Sequence, residues 1–431
     1  MDRALRHFYK KSYEEKLEAL ELSGLLDPKQ CDQLRKQTMD LPREIGSHMI
    51  ENFITNYSLP MGLGFHFLID DQEYTVPMAI EEPSVIAAAS FGAKIIGQSG
   101  GFQTGDDTRL MIGQVAVENV PNMSEAVQAV EKAADKIVRL ANDAYPSIVK
   151  RGGGARRIEV RTVQADADRT HDGAEFLVVY LYVDTCEAMG ANMMNTMLEG
   201  IAPMIQELTH GDILMSILSN YSTEALVNVT CAIEPKYLKT KGWSGQKVRD
   251  HIVSAWQFAS ADPYRAVTHN KGVMNGIDAV TIATGNDWRA TSAAIHAYAA
   301  HSGQYQPLTR WHVADSGELI GQITIPLALA TVGGSIGFHP TAQLAHQILG
   351  QPNAQELAHI VAAVGLAQNF AALRALVTEG IQEGHMSLQA RSLAISAGAT
   401  GDHIQYVADQ LAQAPKMNLD TAKQILSDLK Q

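Results

Sequence analysis

Residues 110–120 (LMIGQVAVENV) and 175–183 (EFLVVYLYV) have the length and the β-branched content of buried strands. Residues 124–142 (SEAVQAVEKAADKIVRLAN) repeat their apolar positions at helical spacing, residues 158–163 predict another strand, and residues 188–208 predict another helix. This alternation of strands and helices over roughly a hundred residues predicts a separate α+β domain.

The flanking sequence predicts a larger, mostly helical domain into which this small domain is inserted. A chain of 431 residues exceeds the size at which one hydrophobic core usually keeps growing, so several domains are expected. We assign residues 1–109 and 220–375 to the large domain, 110–219 to the small domain and 376–431 to a C-terminal helical segment. Closely spaced glycines, beginning at Gly380, predict that this last segment is hinged.

Composition and charge exclude several classes of protein. Hydrophobic residues make up 46% of the chain and charged residues 19%, which is typical of folded proteins and excludes intrinsic disorder. The net charge of -13 has the wrong sign for binding nucleic acid or anionic lipid. We therefore expect neither nucleic acid nor a membrane as a partner.

Cysteine usage and the N-terminus favour a cytoplasmic protein. Cys31, Cys186 and Cys231 are far apart and lack C-x-x-C spacing, so they indicate neither a disulfide framework nor a metal site. The basic first residues are followed by SYEE at residues 12–15 and not by an apolar stretch, which predicts no signal peptide. Prolines and glycines interrupt the charge-free stretch 319–351, which predicts buried core and not a membrane span.

Common nucleotide and metal motifs are missing from the sequence. It contains no G-x-G-x-x-G after a strand, no G-x-x-x-x-G-K-[ST] and no H-E-x-x-H. The candidates for chemistry are instead three polar segments. The first, residues 81–84 (EEPS), precedes a helix of small residues, and its carboxylates are either catalytic or simply the acidic first turn of that helix.

The second and third segments contain a lysine and a histidine. Residues 262–276 (DPYRAVTHNKGVMNG) are followed by Asp287, and we expect a buried ion pair between Lys271 and Asp287 that orients an ammonium to stabilise an oxyanion. The alternative is a solvated lysine and an aspartate that caps a helix. Residues 384–386 (GHM) contain His385, which either delivers a proton near neutral pH or is an ordinary surface histidine.

Taken together, these segments resemble the 3-hydroxy-3-methylglutaryl-coenzyme A (HMG-CoA) reductases, specifically their soluble bacterial class II branch. The similarity extends over nearly the whole chain. The matching motifs are, in chain order, EN at 51–52, LP at 59–60, EEPS at 81–84, EAMGAN at 187–192, ILSN at 217–220, residues 262–276, GNDWR at 285–289, VGLAQN at 364–369 and GHM at 384–386. Several long motifs seldom occur in the same order by chance.

The resemblance implies reductive deacylation of HMG-CoA to mevalonate and coenzyme A with two NAD(P)H, in the mevalonate pathway of isoprenoid biosynthesis. Lys271 matches the family's catalytic lysine, and Asp287 matches the catalytic aspartate that holds this lysine together with Asn220. Glu82 matches the catalytic acid, and Glu81 is the less favoured of the two. His385 matches the histidine that protonates the leaving thiolate, on a tail that resembles a closing flap.

The resemblance also implies which residues contact the ligands. Those that match substrate contacts are Ser84, Asn220, Arg265, Thr268, Asn275 and Gln368, with Arg265 the natural partner of the substrate's free carboxylate. The small domain resembles the family's ferredoxin-like dinucleotide domain. Its matching cofactor positions are Tyr145, Glu187, Met189, Gly190 and Asn192, with Glu187 where relatives often have aspartate.

Tyr145 favours NADPH over NADH. It stands where an NAD-preferring relative has an acidic residue, which would repel the 2′-phosphate, whereas tyrosine does not. Lys150 and Arg151 are close in sequence and add positive charge. NADH stays the second choice, because an alignment shifted by two residues would place Asp143 at this position.

The resemblance further implies a cytoplasmic homodimer whose active site forms between the subunits. Two other functions stay open. One is a lyase that acts on an acyl-CoA or carbonyl substrate through a Schiff base on Lys271, because a desolvated lysine is nucleophilic. The other is a non-catalytic coenzyme A- or nucleotide-binding protein. The presence of all four catalytic residues of the family favours the reductase.

Overall fold

The computed structural model is a mixed α+β structure with two β-sheets. It describes residues 2–105, 107–166, 173–378, 380 and 390–429. The helices include α1 (Tyr13–Leu22), α2 (Pro28–Arg35), α3 (Arg43–Met49), α4 (Val85–Gly97), α5 (Met123–Lys132), α6 (Ala134–Ala144), α7 (Pro146–Val149), α8 (Ala191–Thr209), α9 (Pro235–Leu238), α10 (Gly245–Ala261), α11 (Pro263–Ala283), α12 (Trp288–Ala299), α13 (Pro340–Ile348), α14 (Ala354–Val377), α15 (Asp402–Gln413) and α16 (Leu419–Leu429). The strands are β1 (Met61–Ile69), β2 (Gln72–Ala79), β3 (Phe102–Thr104), β4 (Met111–Glu118), β5 (Gly154–Gln164), β6 (Glu175–Asp184), β7 (Asp212–Ser219), β8 (Leu226–Ile233), β9 (Thr309–Val313) and β10 (Leu319–Pro326).

The larger sheet has six strands in the order β2-β1-β3-β8-β10-β9. Its neighbouring strands are antiparallel except for β1 and β3. Alternate residues of β8 and of β10 are buried, so one face of the sheet packs on the core.

Residues 220–375 were predicted to be mostly helical, and helices do make up most of their regular structure, but strands β8, β9 and β10 were not predicted there. Strands β8 (LVNVTCAI) and β10 (LIGQITIP) alternate apolar residues with small or polar ones at a period of two, which is a strand signal. The alanine-rich segments of this region are typical of helices, and the sequence-based prediction did not take the alternation into account. The region is mixed, because its helices pack on a sheet that it partly builds.

The smaller sheet is antiparallel, in the order β5-β6-β4-β7. Helices α5, α6 and α8 pack on it, and the apolar side chains between them form a second core that includes Val115, Val179 and Met197. The strands and helices predicted between residues 110 and 208 are confirmed, except that the first helix is divided at Ala133. Strand β7 was not predicted as a separate element.

Helix α14 is the centre of the larger core. Most of its side chains are buried, and it contacts α4, α11 and the larger sheet. Among the described residues it is the one helix with the length and hydropathy of a membrane span, and 72% of that apolar window is buried inside the protein. Its apolar character is thus explained by its place in the core.

Two glycines allow the other core helices to approach α14 closely. A Cβ atom on Gly92 of α4 would lie 2.3 Å from the carbonyl oxygen of Ala367 in α14. A Cβ atom on Gly276 of α11 would lie 2.9 Å from a methyl carbon of Val364 in the same helix. Only a residue without a side chain fits such contacts, so the positions of α4 and α11 are tightly set.

We expect Gly92→Ala to lower the free energy of unfolding by about 2 kcal/mol, because the added methyl group would push α4 away from α14. Gly97→Ala, on the same helix, is the control: its Cβ would meet nothing closer than 3.6 Å. It should be neutral or stabilising by up to about 1 kcal/mol. Urea denaturation measures both variants, and equal stabilities would contradict the close helix contact.

Candidate active site

Helix α11 displays the central polar motif on its exposed face. Asp262 caps the helix by accepting a hydrogen bond from the N–H of Arg265 at 2.9 Å, and a proline follows at the first helical position. The helical repeat of 3.6 residues buries one face in the core. The opposite face carries Thr268, Lys271 and Asn275, which places three of the predicted site residues along one line.

Lys271 forms an ion pair with Glu82. Its Nζ atom lies 2.7 Å from Oε2 of Glu82, which is in the turn between β2 and α4. The two side chains are 59% and 39% exposed, so the pair faces an open surface of this chain. An ammonium beside a carboxyl group combines a positive charge with a group that can take up a proton and pass it on, as the reduction of a carbonyl group requires.

Ser84 and Arg265 have properties that suit substrate contacts. Ser84 precedes α4 with a φ of 75°, in the left-handed region that residues other than glycine rarely adopt and that recurs at functional sites. Burial lowers the pKa of the Arg265 guanidinium, and no carboxylate of the described residues contributes to that shift. A partly buried cation of this kind suits an incoming carboxylate.

His269 lies within the same motif but has a structural role. It is buried, and its Nε2 atom lies 2.7 Å from Oγ1 of Thr309 and 3.1 Å from Nδ2 of Asn369. Burial lowers its pKa to about 3, so the ring is neutral at physiological pH. This buried contact fixes the rotation of α11, and with it the direction of the face that carries Lys271.

Gln368 is the one predicted substrate residue that is buried in the core. It lies in α14 beside Gly276, and its Oε1 atom has no hydrogen-bond donor among the described residues. A buried acceptor without a donor costs free energy, so such a group calls for an explanation. A ligand that supplies a donor would provide one.

Asp287 lies beyond the far end of α11 and is not paired with Lys271. At 1.5 Å per residue, the end of α11 is about 18 Å from Lys271. Gly285, with a φ of 71°, reverses the chain, and Asp287 caps α12 by accepting hydrogen bonds from the N–H groups of Arg289 at 3.1 Å and Ala290 at 3.0 Å. The ion pair predicted between Lys271 and Asp287 is therefore absent within this chain, because an unbroken helix separates the two residues.

A cavity of about 540 Å³ beneath the loop after α3 lies at the end of α11, and a second one of about 520 Å³ contains Asp287. Both volumes fall in the range of about 300–1,000 Å³ typical of ligand pockets. The walls of the second cavity include four of the five predicted cofactor residues, namely Tyr145, Met189, Gly190 and Asn192. We call this second space the cofactor cavity.

The cofactor cavity has features that suit an anionic dinucleotide. Helix α8 begins at Ala191 on its wall, and the first N–H groups of a helix are free to bind phosphate. Gly190 has a φ of 91°, and a Cβ atom there would lie 2.5 Å from Cγ2 of Thr185, so the chain can bend here only without a side chain. Arg151 adds a cation to the wall.

Glu187 is not on the wall of this cavity, although the resemblance predicted a cofactor contact. Its carboxylate accepts hydrogen bonds from the hydroxyl group of Thr331 at 2.8 Å and from the N–H of Ala354 at 2.7 Å. It therefore joins the turn before α8 to the start of α14. Glu187 thus holds the segment 187–192 in place from outside the cavity.

Asn220 and His385 complete the predicted set. Asn220 follows β7 and lies with Met189 and Asp287 around a small cleft. The structure thus brings Asn220 close to Asp287 and leaves Lys271 apart from both. His385 lies outside the described residues.

One wall of the cofactor cavity, residues 330–336, was not singled out from the sequence. It belongs to the charge-free stretch that the sequence predicted to be buried core. Gly333 and Gly334 have φ values of 87° and 53°, which form an open loop and not a packed segment. A glycine pair inside an apolar stretch is the signal that could have revealed this loop.

Comparison with known proteins gives a consistent result. The family model described as hydroxymethylglutaryl-coenzyme A reductase matches residues 12–390. The 3-hydroxy-3-methylglutaryl-coenzyme A reductase of Archaeoglobus fulgidus is 45% identical over 424 residues, which are 98% of this chain and 94% of that protein. A probable 3-hydroxy-3-methylglutaryl-coenzyme A reductase of Borreliella burgdorferi is 36% identical over 349 residues, which are 80% of this chain and 77% of that protein.

Solved structures agree. The 3-hydroxy-3-methylglutaryl-coenzyme A reductase of Streptococcus pneumoniae is 48% identical and superimposes with a TM-score of 0.82 over 99% of both chains. A structure of the class II enzyme from the same organism, bound to NADPH in open conformations, has the same identity and TM-score and covers 98% of this chain and 100% of that one.

Proposed function

This chain belongs to the hydroxymethylglutaryl-coenzyme A reductase family, and we propose that it reduces HMG-CoA to mevalonate and coenzyme A with two molecules of NADPH. The observation that carries the proposal is the ion pair between Lys271 and Glu82, 2.7 Å apart on an open surface. These are the two residues whose family counterparts stabilise the oxyanion and supply a proton.

Lys271 would act on the thioester carbonyl. When a hydride adds to this carbon, negative charge develops on the oxygen, and an ammonium at hydrogen-bond distance stabilises it. Helix α11 fixes the Cα of Lys271, and the long side chain of this lysine allows the ammonium to move toward the substrate. Once the substrate has displaced Glu82 from this ammonium, Glu82 would take up a proton from solvent and supply it when the aldehyde intermediate is reduced to the alcohol.

Substrate recognition would involve residues along the same helix. The guanidinium of Arg265 would bind the free carboxylate of the acyl group, because the pair can form two parallel hydrogen bonds. Thr268 and Asn275 lie on the exposed face on either side of Lys271, and Ser84 follows Glu82. Gln368 would accept a hydrogen bond from the substrate through its side-chain oxygen, which has no donor among the described residues.

A homodimer explains why the catalytic groups are separated within one chain. Lys271 lies on the exposed face of α11, whereas Asp287 lies at the cofactor cavity, beyond an end of α11 that is itself about 18 Å from Lys271. The exposed face also carries Tyr264 and Val267, which are 88% and 54% exposed and would be covered in an interface. We propose that Lys271 of one subunit meets Asp287 of the other.

NADPH would be held in the cofactor cavity. The start of α8 would bind the pyrophosphate and Arg151 the 2′-phosphate, beside Tyr145. The bound nicotinamide supplies the hydride. Met189 and Asn192, on the same wall as Asp287, would orient the nicotinamide end toward the reacting carbon.

The domain roles follow from this assignment. Residues 1–109 and 220–375 would bind HMG-CoA and form the dimer, and residues 110–219 would be the ferredoxin-like cofactor domain. Residues 376–431 would form a flap that brings His385 to the departing thiolate as its proton donor. The free thiols of Cys31, Cys186 and Cys231 fit a reducing cytoplasm.

The lyase alternative is not favoured. A lysine that forms a Schiff base acts as a neutral amine, usually in an apolar pocket. Lys271 is exposed and paired with a carboxylate, which is a setting for a charged ammonium. The family to which the chain belongs also consists of reductases, and a binding protein would not need the Lys271–Glu82 pair.

We expect Lys271→Ala to lower kcat by at least about 100-fold, because the developing oxyanion loses its ammonium. Consumption of NADPH in the presence of HMG-CoA, followed by the absorbance of the reduced nicotinamide, measures the effect. Lys236→Ala is the matched control: Lys236 is also 59% exposed and is paired with Glu234 at 2.6 Å, far from the site in sequence. Wild-type turnover by Lys271→Ala would rule out the proposed role.

Mixing two inactive variants tests the two-chain site. Asp287→Asn keeps a side chain that can cap α12, so both it and Lys271→Ala should fold. After subunit exchange, half of the dimers are mixed and contain one intact site, so about a quarter of wild-type activity should return. No recovery, with exchange verified by differently tagged subunits, would mean that both residues act from the same chain.

We expect Tyr145→Asp to raise KM for NADPH about tenfold and to leave KM for NADH nearly unchanged, because a carboxylate repels the 2′-phosphate. Tyr145→Phe is the control and should retain the preference for NADPH. Steady-state kinetics with each nucleotide measure both variants. A parallel change for NADPH and NADH would place Tyr145 away from the 2′-position.

A further inference from the structure

Three consecutive residues, 329–331, are held by side chains from three different parts of the chain. Arg109 donates from Nη2 to the carbonyl oxygen of Leu329 at 2.7 Å. The side-chain amide of Asn286 accepts from the N–H of Ala330 at 2.7 Å and donates to the carbonyl oxygen of Ala330 at 3.1 Å. Glu187 accepts from the hydroxyl group of Thr331 at 2.8 Å.

Arg109 also holds the cofactor loop, which we define as residues 185–190. Its Nε atom donates to the carbonyl oxygen of Cys186 at 2.8 Å, and Nη2 lies 3.4 Å from the carbonyl oxygen of Ala188. One guanidinium therefore joins the cofactor loop to residues 329–331. Arginine suits this role because its planar group offers five donors in a fixed geometry.

The position of Arg109 in the chain gives this contact its importance. It lies in the connection from β3 to β4, where the chain passes from the larger to the smaller sheet. The guanidinium is partly buried, and burial lowers its pKa while the nearby Glu187 and Asp184 act in the opposite direction. An arginine stays charged under these conditions, so its bonds to the three carbonyl groups are charge-assisted.

The two segments that Arg109 joins both contribute to the wall of the cofactor cavity or lead into it. Residues 188–193 contribute one part of the wall and residues 330–336 another. Arg109 itself is not among the described residues that line the cavity. It therefore influences the space for the nucleotide only through the backbone that it holds.

We propose that Arg109 is a positioning residue for the cofactor, which sets the spacing between the cofactor loop and residues 329–331 and thereby the affinity for NADPH. This rests on the proposed reductase function. Asn286, which binds Ala330, directly precedes Asp287. Residues 329–331 therefore also hold, through Asn286, the turn that carries the predicted catalytic aspartate. Replacing Arg109 removes its hydrogen bonds to residue 329 and to the cofactor loop, and it leaves the contacts of Asn286 and Glu187 in place.

The test compares Arg109→Met and Arg109→Lys with Arg249→Met in the full-length protein. Arg249 is the matched control, because it is also partly buried and donates to a backbone carbonyl oxygen, that of Gly317 at 2.7 Å, in the hairpin between β9 and β10. NADPH binding is titrated by nicotinamide fluorescence. KM for NADPH and for HMG-CoA, and the thermal unfolding midpoint, are measured on the same samples.

We expect Arg109→Met to weaken NADPH binding about tenfold, which corresponds to the loss of a charged donor, and to leave KM for HMG-CoA within about twofold of wild type. Arg109→Lys, which keeps the charge but not the planar group, should fall between Met and wild type. Arg249→Met should lower the unfolding midpoint similarly without weakening NADPH binding.

Unchanged NADPH affinity in Arg109→Met, or an equal rise in both KM values, would overturn the positioning role. If Arg109→Met does not fold, Arg109→Lys decides the question by the same two criteria. A wild-type protein that binds NADPH but does not turn over HMG-CoA would contradict the proposed function alone, since the binding titration still tests Arg109. A wild-type protein that does not bind NADPH would overturn both.

Discussion

The close packing of α4 and α11 against the buried helix α14 is the constraint on which the candidate active site depends. At Gly92 and Gly276 the backbones approach so closely that a side chain would overlap the neighbouring helix. Because Glu82 lies in the turn that leads into α4 and Lys271 lies on α11, the packing of both helices on one partner limits the separation of the two charged groups. Densely packed interiors deform little, so the 2.7 Å ion pair is held by the core beneath it.

Helix α11 separates Lys271 and Glu82 from Asp287 and the cofactor cavity within one chain. The exposed face of α11 carries Lys271 near the middle of the helix, and the C-terminal end of α11 leads to Asp287 and the cofactor cavity. In the proposed two-fold symmetric dimer these unlike regions would meet, because each subunit presents the same surface to its partner. The distance within one chain and the exposed charges on α11 would then have a common explanation. The contacts of Arg109, Glu187 and Asn286 hold the segments around the cofactor cavity in position relative to one another.

Local patterns predicted much of the fold, and they failed where structure depends on distant partners. Strands β4, β5 and β6 were predicted because their apolar runs are long and rich in β-branched residues. Strands β8 and β10 were missed, although their alternation is visible, because they are short and lie between alanine-rich segments that are typical of helices. For the site, the motifs located Glu82, Lys271 and Asp287, but they did not predict that Lys271 pairs with Glu82 within the chain, since sequence spacing does not reveal which residues distant in sequence lie side by side.

The sequence by itself determined the α+β class, the polar motifs and the family resemblance, because periodicity and motif order are properties of the chain alone. Only the tertiary structure decided which charges meet: Glu82 reaches Lys271 from 189 positions away, and Glu187 faces Thr331 instead of the cofactor cavity. The physical reason is that such pairings depend on which helices and loops pack together. That choice is made by burial of the core as a whole, which no local stretch of sequence contains.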